Sequence, residues 1–450
     1  MTEMILPRAV KQALDILESA GYEAFLVGGC VRDHLMGMQA NDFDITTSAL
    51  PEETKACFSG FHVIETGLQH GTVTVVIDRE PLEITTYRID GEYEDHRHPT
   101  QVTFTRNLEE DLSRRDFTVN AMAYSPTRGL IDPFGGQNDL QKQCIRCVGE
   151  AKKRFDEDAL RILRALRFAA KLGFAIDGDT DIAIHAQKDT LSHVSAERIY
   201  AEFTKLLIGK NAAEVLRDYP DVIGVFIPEI LPCVGFDQHN RHHAFDVYGH
   251  TLEVVRHTEP VLPLRMAAFL HDIAKPQTAA WAEDGMMHFY KHPAIGAQMA
   301  KEILQRLRAD NATIELVAKL ITHHDDRVPA QRPAVKRLLR RFSYEEVPLW
   351  ISIQKADALG HNEAFCTERI ARLEKIEVLI KELKAENACI KTSDLDINGR
   401  DLMALGLKGR QIGDMLSFLL EAVTDETLPN EKQQLLAFAS KQEILTFIQK

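Results

Sequence analysis

Asp42 and Asp44 are separated by a single residue, Phe43. In an extended strand, residues two apart share a face. The spacing therefore points both carboxylates at one place and turns Phe43 toward a core. Paired carboxylates suit Mg²⁺, a hard ion commonly held by one or two carboxylates and substrate phosphates. With two ions, one would activate an attacking hydroxyl and the other a pyrophosphate leaving group. A DxD in a surface turn can equally be solvated or cap a helix, so its neighbours decide. Upstream, the apolar run EAFLV enters Gly28 and Gly29, and Val31-Arg32-Asp33 begins a helix. Glycines between strand and helix let a ligand approach the backbone, and the helix N-terminus offers free N–H groups to an anion. Arg32 adds a fixed cation suited to phosphate oxygens.

GGCVRD followed by DFDIT resembles the catalytic signature of the nucleotidyltransferase superfamily, specifically the bacterial CCA-adding tRNA nucleotidyltransferases and their poly(A) polymerase relatives. The resemblance continues in order downstream. DLSRRDFTVNAMAY, from Asp111 to Tyr124, looks like the second motif of that family. It implies triphosphate binding at Arg115 and ribose contacts at Asp116 and Asn120; surface ion pairs of Arg114 and Arg115 are the plainer alternative. IDPFGGQNDL is also family-like, with its glycines in turns. In RFDEDALRILRALRFAAKLGF, Asp158, Arg161, Arg164 and Arg167 recur every three residues. Three residues turn roughly 300° on a helix, so the four are expected to wind as a stripe with Asp158 beside Arg161. The resemblance implies that this pair reads the Watson–Crick edges of CTP and ATP. A carboxylate can accept from the exocyclic amino group that C and A share, and the guanidinium can donate to ring acceptors. Arg164 and Arg167 would meet phosphates. SAERIYAEFTKLL, with Glu197, Arg198 and Glu202, reads as a motif that stabilises neck helices, Ser195 being its expected N-cap. The loop Asp90–Pro99 resembles one that accompanies addition of the final A. Glu83 is a candidate third carboxylate.

A second constellation follows. His250, His271-Asp272 and Asp357 stand in the order H…HD…D, which resembles the HD metallohydrolase superfamily; His292 and His323-His324 are further candidate ligands. Imidazole with carboxylate suits a transition metal, and ligands on separate helices of a bundle can converge on one ion. The arrangement implies either a metal-dependent phosphohydrolase acting on RNA ends or nucleotides, or an RNA-binding body that leaves the site unused.

The elements that must position these residues divide the 450-residue chain. Residues 23–135 mix β-branched strands (GTVTVVID, PLEITTYRI) with turns, and the pattern is helical from about 140 onward. The expected fold is an α+β nucleotidyltransferase head, a mixed sheet with helices, over residues 1–140. An all-α neck (141–230), an HD-type helical body (231–360) and a helical, RNA-binding tail (361–450) follow. In the tail, GLKGRQIG could offer backbone N–H groups to an RNA phosphate or simply join two packed helices.

Taken alone, the net charge of −14 argues against a nucleic-acid partner, since affinity for phosphates comes mainly from Lys and Arg. Local basic stripes oppose that average: nine Lys or Arg against four Asp or Glu from Gln141 to Gly173, and QRPAVKRLLRR from Gln331 to Arg341. Seven scattered cysteines without a secretory leader suggest reduced thiols and a cytoplasmic setting. Cys144 and Cys147 form a lone CxxC without a second pair at zinc spacing. No long apolar run suggests a membrane span. The combined expectation is stepwise addition of C, C and A from CTP and ATP to the tRNA 3′ end, with Mg²⁺ and no membrane partner. A poly(A) polymerase, a partial A-adding or CC-adding enzyme, and an HD phosphohydrolase are the alternatives.

Overall fold

The computed structural model describes residues 4–40, 42–65, 67–68, 71–91, 102–239, 245–283, 285–361, 363–441 and 444. The loop singled out at 90–99 lies outside them from residue 92 onward. The chain divides into two compact units, residues 1–231 with 303–310 and residues 232–302 with 311–450. No helix among the described residues is long and apolar enough to cross a membrane.

The first unit contains a seven-stranded mixed sheet. Its strands are β1 (Ala24–Val27), β2 (Asp44–Thr47), β3 (His62–Ile64), β4 (Thr72–Ile77), β5 (Glu80–Thr86) and, after the β6 (Arg88–Asp90) and β7 (Val102–Phe104) ribbon, β8 (Ala123–Ser125) and β9 (Gly129–Ile131). The order is β3-β4-β5-β2-β1-β8-β9. β2 runs parallel to β5 and antiparallel to β1. β1 is an inner strand, and AFLV is buried on both faces: Ala24 and Leu26 enter one core and Phe25 and Val27 another. β4 shows the period-2 pattern of a half-covered strand, burying Val73, Val75 and Ile77. The amphipathic segment at the N-terminus forms the helix Arg8–Ser19, which lays Ala9, Val10, Ala13, Leu14 and Leu17 onto the first core.

Helices then dominate. Leu160–Leu172 packs on Ala196–Leu207, and a Cβ on Gly209 would sit 2.8 Å from Cβ of Ala170, so glycine permits this close crossing. Ser195 occupies the expected N-cap, but its side chain makes no capping hydrogen bond. Asp158 departs more clearly from expectation. It is not on a helix with Arg161. It sits extended (φ −145°, ψ 103°) between helices Ala151–Glu157 and Leu160–Leu172, and its Oδ1 accepts from the backbone N–H of Leu160 at 3.1 Å. Asp side chains compete for backbone donors, which breaks the helix here.

In the second unit, helices Val247–His257, Leu262–Leu270, Asn311–His323 and Val347–Leu359 pack around an apolar interior. Helices Gly399–Ala404, Arg410–Thr424 and Lys432–Ala439 enclose a separate core with Leu402, Leu407, Met415 and Leu419. The basic run at 331–341 forms the helix Arg332–Arg341, but it is not an open cationic stripe. Arg332 pairs with Glu386 (2.5 Å) and Glu426 (2.9 Å), Lys336 with Glu426 (3.0 Å), Arg337 with Asp425, Arg340 with Glu421 and Arg341 with Asp326 (2.6 Å). Acidic residues elsewhere in the chain neutralise it.

Candidate functional site

Asp44 opens β2 and Asp42 precedes it by two; both keep exposed surface, while Phe43 packs on the head core. Ile45 of β2 lies opposite Ile84 of parallel β5, which sets Glu83 beside Asp44. Partial burial raises the Asp44 pKa, and the neighbouring charges of Asp42 and Glu83 raise it further against the opposing pull of Arg115. Three carboxylates facing one cation leave excess negative charge, which is what a divalent cation relieves. Gly28 caps the helix Gly29–Leu35 at φ 76°, and a Cβ there would lie 3.3 Å from Nη1 of Arg115. Glycine thus supplies both the positive φ and the room for that guanidinium.

Arg115 and Arg114 both pair with buried Asp111, at 3.7 and 2.7 Å. Arg32 is buried: its Nε and Nη2 donate to Asp33 and its Nη1 to Asn120 at 2.7 Å. Asn120 in turn donates to Asp116 (3.3 Å), and Arg164 donates to the other oxygen of Asp116 at 2.8 and 2.5 Å. Burial alone would raise the Asp116 pKa; the Arg164 guanidinium overrides it and brings it to about 2. Asp116 and Asn120 are therefore linked to one another and to arginines from two separate helices.

Arg161 does not face Asp158. Its Nη1 donates to Glu157 at 2.5 Å and its Nη2 to the Arg114 carbonyl at 3.0 Å. Asp158 accepts instead from Arg198 at 2.8 Å, and Arg167 pairs with Glu202 at 2.9 Å. The segment read as neck-stabilising thus reaches the two ends of the expected base- and phosphate-reading segment. Phe168, which the sequence reading passed over, gathers three guanidinium carbons around its ring: Arg167 at 4.1, Arg32 at 5.3 and Arg164 at 5.6 Å from the centroid. The recurrence RxxRF was the only trace of it.

The second constellation converges in the helical unit. Nδ1 of His250, His271, His292 and His324 each lies against a backbone carbonyl, of Gly360 (3.1 Å), Ala268 (2.8 Å), Phe289 (2.8 Å) and Ile321 (2.7 Å). Those contacts turn Nε2 of all four rings toward the interior of the cluster, where Nε2 of His250 meets Asp357. Nε2 of His250 and His271 are 3.4 Å apart, as are those of His292 and His324. Asp272 lies between the two pairs: Oδ2 is 3.1 Å from His271, and Oδ1 is 3.4 Å from His292. Both oxygens are buried without a hydrogen bond of acceptable geometry, although the Lys275 ammonium stands 2.7 Å from Oδ2. Asp357 reaches His250 at 3.0 Å, and His361, one turn further, approaches Asp357 at 3.5 Å. Imidazole nitrogens ringing a buried carboxylate make a donor set that suits a divalent cation. Three groups here have ligand atoms mutually close enough to share a metal: His250-His271-Asp272, His250-Asp357-His361 and Asp272-His292-His324. His361 was missed, although KADALGH places it four residues after Asp357. His323 stays outside, pairing with Asp326 at 2.9 Å. Burial drives the His324 pKa down to about 3.

Cys144 and Cys147 show no metal-like setting among the described residues; burial pushes the Cys147 thiol up to about 12.

The poly A polymerase head domain family matches residues 24–146, the RNA and SrmB-binding site of polymerase A matches 173–219, and tRNA nucleotidyltransferase domain 2 matches 278–439. The CCA-adding enzyme of Geobacillus thermodenitrificans is 53% identical over 209 residues, 46% of this chain and 51% of the relative. That of Lactobacillus delbrueckii subsp. bulgaricus is 46% identical over 222 residues, 49% of this chain and 56% of the relative. The chain thus matches about half the length of these curated relatives. The Bacillus stearothermophilus CCA-adding enzyme in complex with CTP superimposes with a TM-score of 0.72 at 28% identity, covering 99% of this chain and 100% of that one. The Thermotoga maritima CCA-adding enzyme complexed with tRNA shares the fold at a TM-score of 0.60 and 20% identity, over 99% of this chain and 97% of that one. Sheet, glycine turn and carboxylates define a nucleotidyltransferase head of the poly(A) polymerase class. Within that class, the chain is similar to bacterial CCA-adding enzymes over about half of the curated relatives' length, and shares its fold with one of them, solved with CTP, along its whole length.

Proposed function

We propose that this protein adds C, C and A from CTP and ATP to the 3′ end of tRNA, releasing pyrophosphate at each step. The observation that carries the reading is the carboxylate edge of β2 and β5 facing Arg115 beside the glycine-capped helix. Asp42 and Asp44 would hold Mg²⁺, which when bound supplies charge neutralisation for hydroxyl attack on the α-phosphate. Gly29 backbone and Arg115 would orient the triphosphate, with Arg32 setting the shape of the pocket from beneath. Asp116 and Asn120 would meet the ribose. Asp158 and Arg161 would present acceptor and donor to the base once their present partners Arg198 and Glu157 yield. Arg164 and Arg167 would fix the phosphates.

The test is incorporation by the full chain into tRNAs ending at the discriminator, in C or in CC, with each nucleotide offered separately. The expected result is C on the first two and A on the third. A alone on CC would indicate a partial enzyme, and runs of A a poly(A) polymerase. Asp42→Ala and Asp44→Ala should each lower incorporation by at least about 10³-fold, the scale of losing metal-held charge stabilisation, with tRNA binding retained.

A second reading has its own observation, the four inward Nε2 atoms around Asp272. We infer that this cluster holds a transition-metal ion, since imidazole-rich donors favour such metals over Mg²⁺. Ni²⁺, Co²⁺ or Mn²⁺ at about 100 times its Kd should add about 2.7 kcal/mol to the stability of the helical unit. His271→Ala should remove that gain; a wild-type protein indifferent to all three ions would overturn the assignment.

A further inference from the structure

Phe168 lies on the helix Leu160–Leu172 and is buried. Three of the expected nucleotide-site arginines converge on its ring, Arg167 nearest at 4.1 Å from the centroid, then Arg32 at 5.3 and Arg164 at 5.6 Å. Two of them are oriented by hydrogen bonds of their own. Arg32 donates to Asp33 and Asn120, and Arg164 donates through Nε and Nη2 to Asp116. Arg167 is different. Its Nε stands 2.9 Å from Oε2 of Glu202, yet both atoms are buried without a hydrogen bond of acceptable geometry. Glu202 therefore supplies opposite charge to Arg167 but not direction. The plane of this guanidinium is left to the ring over which it lies.

Helix geometry sharpens the point. Arg164 precedes Phe168 by four residues and shares its face. Arg167 precedes it by one, roughly 100° around the helix, and reaches the ring only by folding across. Burial lowers the Arg167 pKa; the Glu202 carboxylate opposes this, and the like charges of Arg164 and Arg32 add to it. The electron-rich face of an aromatic ring offsets such crowding of cations. Phe168 is itself pinned. Its ring meets that of Phe117 edge-on, centroids 5.7 Å apart at 78°, and the Phe117 backbone N–H donates to Oδ1 of Asp116 at 2.9 Å. One ring thus touches arginines from two helices and the segment that carries Asp116.

We propose that Phe168 is a positioning residue of the nucleotide site: its ring sets the plane of the Arg167 guanidinium, and with it the donors offered to the triphosphate. This rests on the reading that Arg167 meets the phosphates. Phe168 would act through Arg167, not by touching the nucleotide.

The test compares Phe168→Leu, Phe168→Met and Phe168→Tyr in the full chain. CTP and inorganic tripolyphosphate, each with Mg²⁺, are titrated calorimetrically, and CTP kcat and KM are measured on tRNA ending at the discriminator. Leu and Met remain apolar but lose the aromatic face, whereas Tyr keeps it. Phe168→Leu and Phe168→Met should each weaken CTP and tripolyphosphate by about tenfold, the scale of a desolvated cation–π contact. KM should rise by the same factor while kcat stays within about threefold, as for an interaction made equally in ground and transition states. Phe168→Tyr should stay within about threefold of wild type. In an Arg167→Gln background, Phe168→Leu should cost about twofold or less, because the group it positions is gone. A packing role would instead give the same loss in both backgrounds, and that result would overturn the proposal. So would equal losses in the Leu and Tyr variants, or Met and Leu variants that bind CTP as wild type does. Should Phe168→Leu not fold, Phe168→Met leaves the smaller cavity and carries both comparisons. A wild type that binds CTP but incorporates nothing into tRNA would overturn the functional reading alone, with the binding series still deciding on Phe168. A wild type that binds neither CTP nor tripolyphosphate would overturn both.

Discussion

At the scale of single residues, Asp116 has the most exact consequence. It is buried, held by Arg164 and Asn120, and its carboxyl is brought from 3.8 to about 2. A carboxylate whose folded pKa is depressed adds stability above its unfolded value, and that stability disappears as pH falls through the folded one. Wild type should therefore lose about 2 kcal/mol between pH 5 and pH 2 through this group, at about 1.36 kcal/mol per unit. Asp116→Asn should lack that component, so urea midpoints of the two should converge as the solution is acidified. A constant gap across this range would show that Asp116 is not so held. The carboxylate pair Asp42/Asp44 and the order of the histidines were legible in the sequence because each depends on local spacing or on residue type. The partners of Asp158 and Arg161 were not legible. A rule of three residues per step presumes an unbroken helix, and one side chain capping Leu160 was enough to break it.

At the scale of elements, the Arg332–Arg341 helix shows how a basic run can be cancelled by chain positions 90 residues away, as Lys336 is by Glu426. Its cations do not contribute equally. Lys336 is 6% exposed and donates to the Val423 carbonyl at 3.3 Å as well as to Glu426 at 3.0 Å. Lys336→Ala should cost about 1–3 kcal/mol by leaving the buried Val423 carbonyl unsatisfied. Arg337→Ala, whose pairs are half-exposed, should cost less than about 1 kcal/mol. Thermal or urea unfolding of the two variants decides this, and equal losses would mean that burial does not set the difference. The strands were readable from β-branched runs and their bounding turns. The parallel pairing of β2 with β5, which brings Glu83 to Asp44, was not, because register is a long-range property.

At the scale of the whole molecule, the net charge of −14 and the self-neutralised 331–341 helix move the expected RNA interface elsewhere. Exposed Lys152, Lys153 and Lys171 carry no ion pair among the described residues and stand in the first basic stripe. Removing a cation that meets one phosphate should reduce the salt slope of tRNA binding by about 1. Lys152→Gln with Lys153→Gln should therefore flatten that slope, while Arg337→Gln with Arg340→Gln should leave it unchanged. A filter-binding series between about 50 and 200 mM salt reads both, since phosphate neutralisation shows over that range. The reverse pattern would return the 331–341 helix to the RNA interface.

The tie from Arg198 to Asp158 reaches beyond stability. With Asp158 and Arg161 in the proposed base-reading role, nucleotide preference would depend on the Ala196–Leu207 helix as well and could drift without any change at either residue. A descendant that altered only the 195–207 segment could come to favour one nucleotide over the other while its base-facing residues looked untouched. Transplanting that segment between relatives and comparing ATP with CTP incorporation would show whether fidelity is inherited as packing; an unaltered ratio would assign it to the two side chains alone.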